Sequence, residues 1–413
     1  MTLYDLKKPE HLSVWFLGFL LILVPIEYWA DPSFGQSALR ISQAQIFQVV
    51  SIALFAIFIL QNVWLSLFLL WSIFLYAFYG FPNPSGTILL SISGACMIYE
   101  AFYRAINREN FGLLVNFMIA FALLNMGYMI MQGFGWELMF VEFNRPKLGL
   151  QTQMLGFMGL KAIMGMAFAM CVPFFAYKYP KLALGLFVPL YYSESSSALV
   201  AGICAYLWQL WFLSRKWFFI ALAVLTVGGG FYVAHDTKAG MFEDRANVWK
   251  LTLQDAMRRP IFGWGMDSFR CVTNDKSFMY WKNVRTKDSL RIDLKDTIEY
   301  QHTGNYDLNK YKDLKAGDTL DPWDNPHNEY IMLYYEFGVV AVLLLGFLVW
   351  DIRRRFVETS NYAILLVGFL IATAIMSIGQ FPFHLARVGF FIPIFLACYY
   401  KLTEPDKVSA WTY

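Results

Sequence analysis

The sequence predicts an all-α integral membrane protein with about twelve transmembrane helices and one long exterior loop that contains short helices. Of the 413 residues, 58% are hydrophobic and only 15% are charged, and the mean hydropathy is +0.45. Apolar segments of about 20 residues, the length that a helix needs to cross a bilayer, recur along the chain. Because hydrocarbon offers the backbone no hydrogen-bond partners, each such segment is expected to be helical.

Twelve apolar segments are candidates for membrane spans. They run near 12–29, 43–60, 63–81, 87–103, 111–131, 153–177, 182–193, 196–213, 217–234, 329–350, 362–379 and 388–400. The seventh and the twelfth are short, so we expect them to be tilted, broken or extended into their flanks. The chain then divides into helices 1–9 over residues 1–234, a polar loop over 235–328 that carries the chemistry, and helices 10–12 with a short tail over 329–413.

Basic residues mark one side of the predicted bundle, as the positive-inside rule requires of cytoplasmic loops. With a cytoplasmic amino terminus, twelve spans bring the following to that side: Lys7, Lys8, Arg104, Arg108, Lys178, Lys181, Arg215, Lys216, Arg353–Arg355 and Lys401. The loop 235–328 then faces outward, into the periplasm from a bacterial inner membrane. We expect the first span to be retained, because the Glu27–Asp31 stretch after it lacks a small-residue cleavage pattern.

Charge and cysteine usage exclude several classes of function. The net charge of +3 reflects membrane topology, so no nucleic-acid partner is expected. Four cysteines lie inside predicted spans and Cys271 is alone in the loop, so we expect no structural disulfide. No Cys/His cluster has the spacing of a zinc site, and neither a metal nor a cofactor is predicted.

The loop opens with a predicted amphipathic helix over Glu243–Met257, with apolar residues at three- and four-residue spacings. Arg245 and Trp249 are one turn apart on it, so the indole ring can support the guanidinium stem. Pro260 and the glycines that follow end the helix and predict a tight turn. Residues 270–325 alternate charges and contain several aromatics. Two interpretations are open for them, a folded polar lid with sugar-stacking rings and a plain solvated loop.

Three short motifs follow one another through the loop and into the next apolar segment. They are Arg245-x-x-x-Trp249, then Arg259-Pro260-Ile261-x-Gly263-x-Gly265, then His327-Asn328-x-Tyr330 with Glu336-x-Gly338. In this order and at this late position in a helical bundle, they resemble the core of the O-antigen ligase and polymerase superfamily over residues 240–345.

The resemblance implies a metal-independent glycosyltransferase of the GT-C type that works without a cofactor. Such an enzyme takes a glycan from an undecaprenyl-diphosphate-linked donor and joins it to an acceptor hydroxyl outside the cytoplasm. Inversion by direct displacement requires no carboxylate nucleophile. The implied partners are the lipid-linked glycan, an acceptor such as a glycan or lipid A-core, and the membrane lipids.

Physical chemistry assigns roles to the polar residues of these motifs. A diphosphate calls for a permanently charged bidentate donor, so Arg245 is the candidate ligand. The acceptor hydroxyl must lose a proton, so His327 is the candidate base, with Glu336 as a group that could orient it. Alternatives remain: Arg245 could bind lipid headgroups, His327 could cap the next helix with Asn328, and Trp249 could be a packing residue.

Further charged residues near the membrane have two interpretations each. Lys161, inside the sixth span, either faces the diphosphate or pairs with Glu100 or Glu194. Arg145 and Lys147 either add positive potential at the exterior mouth or bind headgroups. His384 and Arg387, in the loop before the last span, either line the same mouth or anchor it.

One position departs from the family pattern. Many members begin the helix after the seventh span with a Ser-Arg-Gly-Ala-like sequence, and here Ser196 stands where that arginine would fall. Either Lys161, Arg145 or Lys147 supplies the missing charge, or this chain handles its donor differently. The serines either donate hydrogen bonds or form a small-residue contact between helices. The short tail favours an O-antigen or polysaccharide ligase or polymerase over a protein O-oligosaccharyltransferase. A flippase for a lipid-linked glycan is the alternative from another class, but we find no repeated halves of the kind common in transporters.

Overall fold

The computed structural model describes residues 43–79, 83–136, 161–223, 239–269, 278–283, 285, 288–293, 295–296, 320–323, 325–357, 360–380, 382–384 and 386–404. The first predicted span, near 12–29, lies outside these residues. So do Arg145, Lys147 and Cys271.

Apolar helices dominate the described chain. They are α1 (Gln43–Ile59), α2 (Val63–Phe78), α3 (Asn83–Ala105), α4 (Phe111–Gly133), α5 (Lys161–Lys178), α6 (Phe187–Tyr192), α7 (Ser196–Leu213), α8 (Ala239–Ala256), α9 (Glu329–Arg355), α10 (Asn361–Gly379), α11 (Ala386–Gly389) and α12 (Phe391–Leu402). Short 3-10 turns cover Leu182–Leu186 and Pro382–His384, and residues 215–223 are also helical.

The helical class of a multi-pass membrane protein is supported by this architecture. Within the described residues, five helices are long and apolar enough to cross a membrane: α3 from Gly86 onward, α4, α7, α9 and α10. Helices α1, α2 and α12 are apolar but shorter. Each predicted span that reaches the described residues coincides with helical chain. The total of twelve spans stays a prediction.

Several helices begin where the sequence supplies a side chain that caps them. Asn62 accepts from the amides of Trp64 and Leu65 and so starts α2. Ser195 starts α7 and Ser360 starts α10 in the same way. These caps satisfy amides at helix ends that have no partner within the helix.

Helix α5 lies at the centre of the larger of two helical cores. Every residue from Ile163 to Ala176 is buried, and α4, α7, α10 and α12 pack around them. Small residues permit close approach, since a Cβ added at Gly165 would meet Ser193 at 2.5 Å and one at Gly368 would meet Gln209 at 2.8 Å. The smaller core joins α1, α2 and α3 to the middle of α9.

A polar cluster gathers residues that were predicted to share the cytoplasmic side. Buried Asp351, near the end of α9, accepts from Tyr400 of α12 at 2.8 Å and pairs with Arg354 at 2.8 Å. At the same end of the bundle, buried Glu100 pairs with Arg104 at 2.6 Å at the close of α3. The ends of α3, α9 and α12, which the basic residues predicted to share one side, therefore lie at the same end of the bundle.

The polar segment between α8 and α9 contains a sheet that the sequence analysis did not predict. Strands β1 (Phe278–Asn283), β2 (Ser289–Asp293) and β3 (Leu320–Pro322) form an antiparallel sheet in the order β2-β1-β3. Its aromatic side chains pack with α8 and with the first turns of α9 in a third core. The described part of this segment is therefore folded, and its interpretation as a lid with sugar-stacking rings stays a prediction.

Helix α9 is broken at Gly338, where φ is +73° and ψ is −173°. We call residues 257–265 the 257–265 turn. This turn docks into the break, and the amide of Val339 donates to the carbonyl oxygen of Pro260 at 2.8 Å. A side chain at Gly338 would overlap the Ile261 carbonyl, so the close approach requires glycine.

The same turn satisfies carbonyl groups that the break exposes. The amides of Trp264 and Gly265 donate to the carbonyl oxygens of Tyr335 and Glu336, at 2.8 and 3.1 Å. Gly263 and Gly265 have φ values of +67° and +94°, so the predicted tight turn is confirmed as a structural feature. The segment with the motif Arg259–Gly265 therefore packs against the segment with the motif Glu336-x-Gly338 through backbone hydrogen bonds.

Candidate functional site

His327 lies in the short connection between β3 and α9. Its φ is +52°, an unusual conformation for a residue with a side chain, and its amide donates to Asn325 Oδ1 at 2.9 Å. Asn328 caps α9 by accepting from the amides of Tyr330 and Ile331. The side-chain cap of α9 is therefore formed by Asn328. The backbone of His327 is strained.

Arg245 lies on α8, and its side chain contacts the end of α10. Its Nη1 donates to the carbonyl oxygen of Gly379 at 3.0 Å. Burial lowers the pKa of the guanidinium below its ordinary value. No carboxylate among the described residues forms an ion pair with Arg245. A half-buried cation bonded to a neutral carbonyl is a favourable place for an anionic ligand.

One hydrogen bond joins the helix of Arg245 to the residue before His327, and the charge of Arg245 acts on the imidazole. Trp249, one turn along α8 from Arg245, donates from Nε1 to the carbonyl oxygen of Pro326 at 2.7 Å. The pKa of His327 is lowered to about 4, first by burial and then by the positive charge of Arg245. Imidazole and guanidinium are therefore within electrostatic reach of each other, and the imidazole is neutral at neutral pH.

The amino-terminal end of α7 borders the same site. A Cβ built on Gly379 would lie 3.0 Å from Ser197 Cβ and 3.7 Å from Arg245 Nη1. Gln380 Nε2 donates to Ser195 Oγ at 3.4 Å, and Ser195 caps the helix. Ser196 is the first residue of α7 and its side chain is exposed. Helix amides and hydroxyl groups thus stand where the family pattern has an arginine.

Side chains around His327 fix the start of α9 against its neighbours. Glu329, buried, accepts from the Phe383 amide at 2.7 Å. Tyr330 donates from its hydroxyl to the carbonyl oxygen of Ala374 in α10 at 2.8 Å. In the motif His327-Asn328-x-Tyr330, the first residue is therefore the candidate for chemistry. Asn328 caps α9, and Tyr330 bonds α9 to α10.

Trp323, which directly follows β3, contributes an aromatic ring beside His327. Trp323 lies edge-on to the imidazole, with ring centroids 5.6 Å apart, and its amide donates to Tyr280 of β1 at 3.1 Å. Tyr280 donates in turn to buried Asp255 at 2.5 Å, and Arg291 of β2 lies 3.4 Å from the same carboxylate. Burial is the main reason that the pKa of Tyr280 is raised. This cluster joins the sheet to the end of α8.

Other predicted site residues have different surroundings. Lys161 pairs with Glu194 at 2.7 Å, one of the partners expected for it. Glu336 is fully buried at the break in α9, about two turns beyond the start of that helix. Phe383, the residue before His384, donates its amide to Glu329, and the side chains of His384 and Arg387 lie outside what the structure describes.

Sequence reasoning missed Ser195, Ser197, Gly379 and Gln380 as neighbours of Arg245. One signal was available, since Gln380 directly follows an apolar span and polar residues at such positions often face a partner. The approach of α7, α8 and α10 that unites them depends on packing between segments distant in the chain, which no local pattern reports.

The fold and this site define a multi-pass membrane protein with a polar site at one end of a helical bundle. Residues 181–346 match the family model described as O-Antigen ligase, a range that includes Ser196, Arg245, Trp249, His327 and Glu336. This match supports the predicted resemblance to the O-antigen ligase and polymerase superfamily over that part of the chain. A search of curated proteins found no match.

Proposed function

We propose that this chain is a membrane glycosyltransferase that moves a glycan from an undecaprenyl-diphosphate-linked donor to an acceptor hydroxyl. It acts as an O-antigen or polysaccharide ligase or polymerase, on the periplasmic side of a bacterial inner membrane. The observation that carries the proposal is the convergence of Arg245 and His327, which are separated by more than eighty residues of chain.

Arg245 binds the diphosphate of the donor in this proposal. Its guanidinium is half-buried and its Nη1 donates to the Gly379 carbonyl. Within the described part of the chain its other donors have no hydrogen-bond partner, so phosphate oxygens can accept from them. As the glycosyl carbon leaves the diphosphate, negative charge grows on the leaving oxygen. A fixed cation stabilises that charge more than it stabilises the ground state.

The amino-terminal end of α7 serves as the second diphosphate ligand. Its first amides and the serine hydroxyls near Gly379 lie on the Arg245 side of α10. Helix amino termini favour anions because their amides are unpaired and the helix dipole is positive there. Ser196 can therefore occupy the place of the family arginine without loss of the anion site.

His327 accepts the proton of the acceptor hydroxyl. The oxygen of that hydroxyl forms the new bond to the anomeric carbon as the bond to the diphosphate breaks, so the centre inverts without a covalent intermediate. In the substrate-free protein the imidazole is a weak base, because Arg245 and burial lower its pKa to about 4. A bound diphosphate neutralises Arg245, so donor binding raises the pKa of His327 and makes it a better base.

A flippase for lipid-linked glycan remains the competing class, and a protein O-oligosaccharyltransferase is the competing enzyme. The half-buried imidazole held in a strained backbone next to the cation supports an enzyme. A flippase needs a path through the bilayer and has no need for a base.

The test uses purified protein in nanodiscs with undecaprenyl-diphosphate glycan and separate acceptors. We expect label to appear on lipid A-core if the enzyme is a ligase and as a ladder of repeats if it is a polymerase. Label on a peptide serine or threonine would identify the protein-glycosylating activity instead. Movement of intact donor across the membrane of proteoliposomes, without any transferred glycan, would contradict the proposal.

A further inference from the structure

The 257–265 turn reaches the level of the membrane interior, although it belongs to the polar loop. Phe262 stacks on Trp71 and Phe78 of α2, with ring centroids 5.8 and 5.0 Å apart. At 1.5 Å per residue, these two residues lie about 12 Å and about 23 Å along α2 from Val63. A hydrocarbon core about 30 Å thick would enclose both levels.

Helix α9 gives the same depth independently. It ends in Arg353–Arg355, and the turn docks at Gly338. That glycine lies about 22 Å along the helix from Arg353. Helices α2 and α9 are antiparallel, and the polar cluster of Asp351 and Glu100 lies at the same end of both. Measured from that end, both helices put the 257–265 turn at a similar depth, inside the leaflet on the Arg245 side.

The backbone of the turn has the protein partners that such a depth demands. Non-helical backbone is tolerated in hydrocarbon only where other protein groups satisfy it. The amide of Gly263 donates to the carbonyl of Arg259 at 2.9 Å, and the Gly263 carbonyl accepts from the Tyr79 hydroxyl. Trp71 donates from Nε1 to the Phe337 carbonyl at 2.8 Å, next to the break.

One face of the turn is apolar and uncovered. Met257 is 62% exposed and Ile261 is 53% exposed. Phe262, next to Ile261, packs on Phe74 and Phe78 of α2, which are themselves 44% and 54% exposed. Arg258, on the same segment, keeps its side chain 57% exposed and can reach lipid phosphates. An apolar surface continuous with the outside of the apolar helix α2 fits acyl chains.

We propose that the 257–265 turn is a re-entrant membrane anchor, with Met257 and Ile261 against the acyl chains of the leaflet on the Arg245 side. This anchor fixes the carboxyl-terminal end of α8, and with it the helix that carries Arg245, at the bilayer surface. The inference concerns lipid contact, so its test does not depend on glycan transfer.

The experiment places the photoreactive residue p-benzoylphenylalanine at position 261 of the full chain. The protein is reconstituted in vesicles of phosphatidylethanolamine and phosphatidylglycerol with labelled acyl chains. We expect covalent lipid adducts at 261 and none at the matched control position 250, where Lys250 is exposed on the same helix as Arg245. Equal adduct yields at the two positions, or none at 261, would overturn the proposal.

A second measurement guards against local misfolding of the labelled variant. In nanodiscs, Ile261→Asp should lower the midpoint of thermal unfolding, because a carboxylate is costly among acyl chains, and Ile261→Leu should leave it unchanged. Lys250→Asp serves as the control for added negative charge. A midpoint unaffected by Ile261→Asp would show that residue 261 faces water and would reject the anchor.

Discussion

The indole of Trp249 donates a hydrogen bond to the carbonyl oxygen of Pro326, at 2.7 Å, and so joins the helix of Arg245 to the residue before His327. The sequence analysis left Trp249 between packing and substrate contact. The bond shows a third role, in which the indole sets the distance between two motifs that are far apart in the chain.

We predict that Trp249→Phe slows glycan transfer and leaves the fold intact. The phenyl ring keeps most of the packing but removes the donor to Pro326, so His327 is held less firmly. A hydrogen bond of this kind is worth about 1 kcal/mol, which corresponds to about a fivefold slower transfer step. The check is the transfer rate beside thermal unfolding, with Trp217→Phe at an exposed position as the control. A wild-type rate in Trp249→Phe would argue against this positioning.

The acid side of the pH profile reports on His327. The imidazole accepts a proton only when neutral, so activity falls as pH drops through its pKa. For kcat/KM, which reflects the substrate-free enzyme, the fall should be centred near pH 4 because the pKa of His327 is about 4. For kcat, which reflects the donor complex, it should move to higher pH because the diphosphate offsets Arg245. An inflection of kcat/KM near the ordinary histidine value would contradict the electrostatic contact.

We expect Gly338→Ala to destabilise the protein strongly. A methyl group at this position overlaps the Ile261 carbonyl, and φ of +73° is unfavourable for alanine. Backbone strain alone costs about 1–3 kcal/mol, before the loss of docking by the 257–265 turn. Gly346→Ala is the control on the same helix, where an added Cβ meets nothing within 4 Å. Equal unfolding midpoints for the two variants would show that the break is not required.

The break in α9 also shows where sequence reasoning reached its limit. A glycine inside an apolar run is compatible with a continuous helix, so the motif Glu336-x-Gly338 looked like the opening turns of a span. Its meaning depends on the 257–265 turn, which lies more than seventy residues earlier. The helices could be predicted because each apolar run is visible in the local sequence. The docking of the 257–265 turn at Gly338 could not, because it joins segments that are distant in the chain.

The sheet was missed for a related reason. Strands β1 and β2 carry Lys282 and Arg291, whose charges suggest a solvated loop. In the structure their stems lie along rings, with Lys282 Nζ 5.7 Å from the Trp323 centroid and the Arg291 guanidinium 3.9 Å from that of Phe278. Long basic side chains can cover aromatic surface in this way, so charge alone does not exclude a buried strand.

Lys161 and Glu194 allow the two interpretations of Lys161 to be separated. Because they pair at 2.7 Å with both side chains partly exposed, we expect Lys161→Met and Glu194→Gln to have similar and small effects, under about 1 kcal/mol on stability. Donor affinity should be unchanged in both. If Lys161→Met alone weakens binding of undecaprenyl diphosphate, Lys161 belongs to the anion site and the structural interpretation is wrong.

The most direct test is the single-turnover rate of glycan transfer at saturating donor, measured for wild type, Arg245→Ala, His327→Ala and the control Lys250→Ala. We predict a loss on the order of 100-fold or more in each of the first two variants, with unchanged thermal unfolding, and a wild-type rate in the control. A wild-type rate in either Arg245→Ala or His327→Ala would contradict the assignment of cation and base to this site.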